Sequence, residues 1–339
     1  MQEGMIMQNV MNISDADMKW SQSALADFDS FFSSRVIGQK NLERALVAAL
    51  LGDGHVLIES VPGLAKTTAA RAVADAVNGQ FSRIQCTPDL LPSDIMGTQI
   101  YRQDSGNFET VLGPVFANFV LLDEINRSSA KTQSAMLEAM AERQVTIGGT
   151  SYPMPEDIFI VIATQNPIEQ EGTYPLSEAQ SDRFMIKETL FYPAPGEDLE
   201  ILNLFENRSR KKNEKVSPVL EVNDVVRLQQ ITEDVYCDDS VKQYISSIVT
   251  ATRNADNVLP NELKGYVKLG ASPRAMISFL KMGKAGALMQ GRGYVIPDDI
   301  KNAAFAVLRH RIALRYTAAA DGVTSDIIIN NLLNVIPTP

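Results

Sequence analysis

At 339 residues the chain is long enough to bury a sizeable core, as two domains or one large one. Its 45% hydrophobic and 21% charged residues are those of a soluble globular protein, and no apolar run approaches the ~18 residues a membrane span needs. A net charge of −10 (31 Lys+Arg against 41 Asp+Glu) argues against a dedicated nucleic-acid binder, which carries a basic balance or stripe, although a localised basic channel in an oligomer stays compatible with it.

Residues 1–20 carry scattered methionines but no basic segment followed by an apolar one. They read as a weakly ordered lead-in rather than a secretory signal, so a cytoplasmic protein is expected. A short amphipathic helix follows at 21–32, then Val36-Ile37-Gly38-Gln39 and a helical pattern at 41–51. The Val-Ile-Gly turn suits two roles equally: packing against the apolar faces of an adenine, or simply starting the helix.

The next stretch, HVLIESVPGLAKTTAARAVADAVN (55–78), organises the chain. An apolar run, Val56-Leu57-Ile58, leads through Ser60-Val61-Pro62-Gly63-Leu64-Ala65 into an Ala/Val-patterned helix at Lys66-Thr67. Strand, tight loop, Lys-Thr and helix in that order cradle a nucleoside triphosphate. Loop N–H groups face the phosphates, Lys66 adds a point charge, and the Thr67 hydroxyl holds Mg²⁺. The pattern G-x-x-x-x-G-K-[ST] asks for Gly at 60 and 65, where Ser60 and Ala65 stand. A Cβ in such loops obstructs unusual backbone angles or close approach to phosphate. The alternative is a helix N-terminus carrying a surface lysine.

Residues 81–86 read as a second strand ending at Cys86, which lies far from Cys237 without metal-ligand spacing; both cysteines read as reduced core residues. Runs at 98–102 and 108–112 around Asp104-Ser105-Gly106-Asn107 predict a hairpin. Phe119-Val120-Leu121-Leu122-Asp123-Glu124 is an apolar run closing on two carboxylates, the pattern of a strand buried on both faces of a parallel sheet. Its C-terminal end is where open α/β sheets place ligands. There Asp123 would hold Mg²⁺ through water and Glu124 would orient or deprotonate the attacking water; the alternative is a solvated strand end.

A helix at 129–143 precedes a second hairpin, 144–147 and 150–152, joined by Gly148-Gly149. The strand at 158–164 ends in Gln165-Asn166-Pro167, where Asn166 either senses the same water or initiates an Asn-Pro turn. Ser177 and Gln180 fit a capping box on a short helix ending near Asp182-Arg183-Phe184. Arg183 either pairs with Asp182 or reaches a neighbouring subunit's γ-phosphate as an arginine finger.

Composition changes at the Pro/Gly segment 191–196, the expected domain boundary. Polar residues 207–215 are expected to form a solvated loop. Thereafter the pattern is helical, at 223–232, 239–254, 272–289, 297–316 and 324–335. Ser272 at N-cap and Pro273 at N1 put Arg274 in a first helical turn, against the macrodipole. That suits a nearby nucleotide phosphate, or an exposed and indifferent arginine.

The ordered set resembles the MoxR family of AAA+ ATPases, through VIGQ (36–39), ESVPGLAKT (59–67), LLDEINR (121–127), KTQSAMLEAMAER (131–143), ATQNPIEQEGTYPLSEAQSDRF (163–184) and GASPRA (270–275). The resemblance runs from about residue 27 to the end. It implies an α/β fold: a five-stranded parallel αβα P-loop core (21–192) with two hairpin inserts and an all-helical C-terminal lid (196–339). By position, Lys66 and Thr67 match Walker A, Asp123 and Glu124 Walker B, Asn166 sensor 1, Arg183 the trans-acting finger and Arg274 sensor 2. Val36, Ile37 and Gly38, with the loop Val61, Pro62, Gly63, Leu64, Ala65 and on through Thr68, would contact the nucleotide. The resemblance further implies ATP and Mg²⁺ as ligands, a homo-oligomeric ring (hexameric as a rule), a chaperone-like remodelling role and a partner with a von Willebrand factor A domain. Ala65 is familiar in such relatives and Ser60 less so, so nucleotide affinity, not the fold, is what Ser60 is expected to affect. A chelatase or nucleic-acid motor subunit and a nucleotide-gated scaffold with little turnover are the competing functions.

Overall fold

The computed structural model describes residues 13–167, 172–194, 196–210 and 217–339, the side chains of 207–210 excepted. Along the chain run α1 (Asp15–Ser33), α2 (Lys40–Leu51), β1 (Val56–Glu59), α3 (Lys66–Ala76), β2 (Phe81–Gln85), α4 (Pro92–Met96), β3 (Gly97–Arg102), β4 (Asn107–Leu112) and β5 (Phe119–Asp123). Then come α5 (Ala130–Glu142), β6 (Gln144–Ile147), β7 (Thr150–Pro153), β8 (Ile160–Gln165), α6 (Glu178–Ser181) and β9 (Ile186–Thr189). The remainder is α7 (Glu197–Arg210), α8 (Val222–Asp234), α9 (Asp239–Arg253), α10 (Ala255–Val258), β10 (Val267–Leu269), α11 (Pro273–Met289), α12 (Pro297–Leu308), β11 (Ala313–Leu314), α13 (Tyr316–Ala320) and α14 (Ser325–Val335).

Five strands form one parallel sheet in the order β2-β5-β8-β1-β9. Alternate side chains of a strand face opposite sides, and here both sides are covered. Phe119, Leu121, Ile160, Ile162, Val56 and Ile58 join the apolar cluster under α1–α3 and the lid. Val120, Leu122, Phe159, Val161 and Leu57 join the cluster under α5 and the hairpins. That is why β5 reads as a continuous apolar run: each of its five residues is buried. His55, just before β1, is a buried clamp whose Nδ1 accepts from the Val161 N–H at 3.1 Å. Burial holds its pKa down at about 4, so the ring stays neutral.

Both predicted hairpins form, β3–β4 and β6–β7. Gly148 and Gly149 take φ of 57° and 86°, the left-handed pair a two-residue hairpin turn requires. A Cβ on Gly148 would collide with the Gln99 amide, so the two hairpins touch there.

Several expectations are corrected. The first helix begins at Asp15, within the stretch read as a weakly ordered lead-in. Ser14 caps it by accepting from the Asp17 N–H, and Arg227 of α8 lies over the Trp20 ring at 4.0 Å. The pattern read as one helix over 297–316 stops at Leu308, because the next residues turn inward to the core. The helical lid also carries a small antiparallel ladder, β10–β11. Of the polar stretch 207–215, residues 207–210 continue α7, and 211–215 lie outside the described residues.

Candidate active site

Parallel strands bring their C-terminal ends to one edge of the sheet. Here Ile58 faces Thr164, Glu59 faces Gln165, and Gln85 faces Asp123. The chain leaving β1 stays tied to β8 through the Ser60 N–H, which donates to the Gln165 carbonyl at 3.1 Å. The phosphate-loop candidate and the carboxylate pair therefore rise from neighbouring positions on one edge.

Within the loop, Gly63 has φ of 87°, and beyond its two chain neighbours no atom lies within 4 Å of where its Cβ would stand. Ala65 takes φ 54° and ψ 21°, left-handed angles, before α3 starts at Lys66 with no side-chain cap. Uncapped N–H groups at the start of an 11-residue helix point outward as an anion site. Ser60 is 2% exposed, is not among the positive-φ residues, and donates its hydroxyl to the Val61 carbonyl at 3.0 Å. Its backbone needs no glycine. The left-handed angle falls on Ala65 instead. Lys66 Nζ lies 3.4 Å from the Ser60 carbonyl, folded back over the loop, and Thr67 and Thr68 are half-buried in the first turn.

At the end of β5, the fully buried Thr164 hydroxyl accepts from the Glu124 N–H and donates to Asp123 Oδ1, both at 2.8 Å. This one hydroxyl fixes both carboxylate-bearing residues. Glu124 sits at φ 59° and ψ 53°, an unfavourable conformation for a residue with a side chain and one that concentrates at functional sites. Its Oε2 pairs with Arg127 Nε at 2.9 Å and lies 3.5 Å from Gln85 Nε2. Asp123 Oδ2 pairs with Arg83 at 2.7 Å. Asn166 is 4% exposed, and its carbonyl accepts from Asn126 Nδ2 at 3.5 Å. The Asn126 Oδ1 is buried without a hydrogen-bond partner, an acceptor a water would satisfy. Cys86, beside this group, has its thiol pushed up to about 12 by burial and is no nucleophile.

The donors suit a magnesium ion. The Thr67 hydroxyl and Asp123 carboxylate are hard oxygens, and among the described residues no cluster of three or more His, Cys, Asp or Glu builds a protein cage. An ion that keeps its waters and draws on substrate phosphates needs no cage.

A cavity of about 400 Å³ lies against the loop, with Val36 and Ile37 on one wall, Pro62 to Ala65 and Thr68 below, and Tyr192, Ile201 and Phe205 opposite. Gly38 stands outside this lining. Its φ of 72° is the left-handed angle that calls for glycine, and a Cβ there would also meet the movable Glu197 carboxylate of α7. The α7 wall was missed in the sequence, where Tyr192 and Pro193 served only as linker; an aromatic next to a domain boundary is the signal available. A second groove, 560 Å³ between α4, α5 and the two hairpins, lies apart from this edge.

Arg183 and Arg274 occupy the joint between core and lid. Asp182 accepts from Arg311 Nε at 2.8 Å and from the Ser272 hydroxyl at 2.7 Å, with Arg274 Nη1 at 3.8 Å. The Asp182–Arg183 pair considered from the sequence is therefore replaced by Asp182–Arg311. Arg183 donates to the Leu137 carbonyl of α5. Ser272 caps α11 as expected, accepting from the Arg274 N–H, and the Arg274 side chain is 53% exposed. No hydrogen bond or ion pair among the described residues joins Arg183 or Arg274 to Lys66 or Asp123 of the same chain.

Residues 55–186 match the profile of the ATPase family associated with various cellular activities (AAA), and residues 262–332 match that of the AAA lid domain. The chain is 47% identical to Chaperone MoxR1 of Mycobacterium tuberculosis over 90% of its own length and 79% of that protein's. It is 30% identical to Protein MoxR of Paracoccus denitrificans, covering 89% and 91% of the two chains. A crystal structure of a candidate ATPase from Cytophaga hutchinsonii superposes with a TM-score of 0.88 at 42% identity, covering 96% of this chain and 98% of that one. The chain belongs to the MoxR family of AAA+ ATPases.

Proposed function

We propose that this protein binds and hydrolyses ATP and uses the turnover to remodel or mature client protein complexes, as a chaperone-like motor. The observation that carries the reading is the Thr164 weld: one buried hydroxyl holds Asp123 and Glu124 on the edge from which the loop of Lys66 and Thr67 departs. Lys66 and the α3 N–H groups bind the β- and γ-phosphates, and the Val36–Ile37 wall takes the adenine. Thr67 and Asp123 hold Mg²⁺, which neutralises phosphate charge when bound. Glu124 orients and deprotonates the attacking water, and Asn166 positions it. The chemistry is mostly positioning and charge stabilisation, so every one of these groups acts through where it is held.

On this reading the protein works as a homo-oligomeric ring, hexameric in the pattern of its class. Arg183 of one protomer reaches the nucleotide of the next, and Arg274 approaches the phosphates of its own chain. A partner with a von Willebrand factor A domain would supply client choice. The hairpin β3–β4 supports contact with a client chain, since it exposes Tyr101 (54%) and Phe108 (68%) with ring centroids 5.3 Å apart. No helix among the described residues is long and apolar enough to cross a membrane.

Steady-state ATP turnover by the purified protein and by Glu124→Gln tests the reading. The wild type is expected to release phosphate and the variant to bind ATP without turning it over. Absence of turnover in both would leave the nucleotide-gated scaffold.

A further inference from the structure

Asp123, the carboxylate given to the metal in the reading above, already has a cation on it. Arg83 and Gln85, two apart on β2, project toward the same side of the sheet. Arg83 donates to Asp123 Oδ2 twice, from Nη2 at 2.7 Å and Nε at 3.2 Å. A carboxylate oxygen offers about two acceptor positions, so the guanidinium fills Oδ2, while Thr164 takes one position on Oδ1. The same Nη2 donates to Gln85 Oε1 at 2.8 Å, and Gln85 Nε2 lies 3.5 Å from Glu124 Oε2. One guanidinium thus touches Asp123 directly and Glu124 through a single amide. Its surroundings are wet: the Arg83 side chain is 48% exposed against 11% for Asp123. Half-exposed and unbranched, it has water to withdraw into.

We infer that Arg83 is the resting counter-ion of Asp123, a positioning residue that competes with the divalent cation for this carboxylate and is displaced when metal and nucleotide arrive together. The inference rests on the assignment of Asp123 to the metal. Two cations held on one carboxylate repel each other, and the phosphates supply the extra negative charge that lets the metal win. Metal affinity is therefore low until nucleotide is present. Withdrawal of Arg83 also removes the partner of Gln85, so metal arrival loosens the contact on Glu124. A purely orienting role for Arg83 predicts the opposite sign, since removing an orienting group would weaken the metal.

The test is Mn²⁺ binding, read as free Mn²⁺ by electron paramagnetic resonance during titration of the full-length protein preloaded with a non-hydrolysable ATP analogue. Arg83→Ala is expected to bind Mn²⁺ roughly tenfold more tightly than wild type, the scale on which one adjacent cation biases a carboxylate. Arg83→Lys keeps the charge and stays near wild type. Asp123→Asn loses the protein-dependent tightening altogether. Equal or weaker Mn²⁺ binding by Arg83→Ala, with Asp123→Asn impaired, overturns the counter-ion role and leaves the metal assignment standing. Unimpaired binding by Asp123→Asn overturns the metal assignment, and the inference falls with it. The half-exposed position of Arg83 lets both of its variants fold, which unchanged melting confirms.

Discussion

Of the arginine–aspartate pairs that join separate elements, Arg83–Asp123 and Arg311–Asp182 are set apart by burial. At the sheet edge, the Arg83 side chain is 48% exposed and bonds Asp123 and Gln85. At the core–lid joint, the Arg311 side chain is 1% exposed. It donates to the Asp182 carboxylate, to the carbonyls of Asp182, Phe184, Met185 and Val307, and to the Ser278 hydroxyl. A cation removed from water survives only where its donors are satisfied, and Arg311 is. A cation at a wet rim costs little to move. The same ion-pair chemistry therefore gives a fixed joint in one place and an exchangeable contact in the other.

That contrast can be broken experimentally, starting with what the joint holds. Asp182 is followed directly by Arg183, so the fixed pair sets where the proposed finger begins. Arg183→Ala is expected to lower ATP turnover by ~10³–10⁵ while ATP affinity, measured by equilibrium titration, stays near wild type. Arg311→Met should destabilise the protein by about 3–5 kcal/mol in urea unfolding, because it breaks the buried pair, leaves Asp182 only Ser272 and the longer Arg274 contact, and strips the Met185 carbonyl of its guanidinium donor.

The joint also carries a pH signature. His310 is half-buried beside Arg311, its Nδ1 shut off from solvent, and its Nε2–H donates to the Phe184 carbonyl at 3.0 Å. Desolvation, with Arg311 adding to it, holds the ring well below its usual pKa. The unfolded chain takes up a proton as pH falls past about 6.5 and the native chain does not, so this group stabilises above that pH and its contribution is lost below it. The melting temperature should fall as pH drops from 7 to 5, and His310→Gln, which keeps a donor but does not titrate, should flatten that slope. The smallest effect belongs to the rim: Arg83→Ala should change unfolding free energy by no more than about 0.5 kcal/mol. A loss as large as that of Arg311→Met would erase the distinction between the two pairs.

The central strands and the segments that frame the candidate site are legible because local chemistry signals them. β5 is buried on both faces and reads as an apolar run; the Gly148-Gly149 turn has no other economical use; Ser177 with Gln180 forms the capping box its spacing announces, the Ser177 N–H donating to Gln180 Oε1 at 2.8 Å. The edge strand β9, Ile-Lys-Glu-Thr, was missed because one half-covered edge demands neither an apolar run nor clean alternation. Arg311 was hidden inside a helical pattern, since its carboxylate partner lies 129 residues away in sequence. Arg83 reads as an ordinary strand residue, because only strand pairing places it opposite Leu121, two residues from Asp123 on the same face. Burial of apolar groups is written locally; the partner of a charge is not.

If one active site is shared by adjoining protomers, mixing two inactive variants should restore it. Glu124→Gln lacks the base but keeps Arg183, whereas Arg183→Ala lacks the finger but keeps Glu124. In an equimolar mixture some interfaces pair an intact Glu124 with an intact Arg183 from the neighbour. The mixture is then expected to regain ATP turnover well above either variant alone. Turnover no higher than that of the separate variants, under conditions where the chains assemble together, would contradict the shared site.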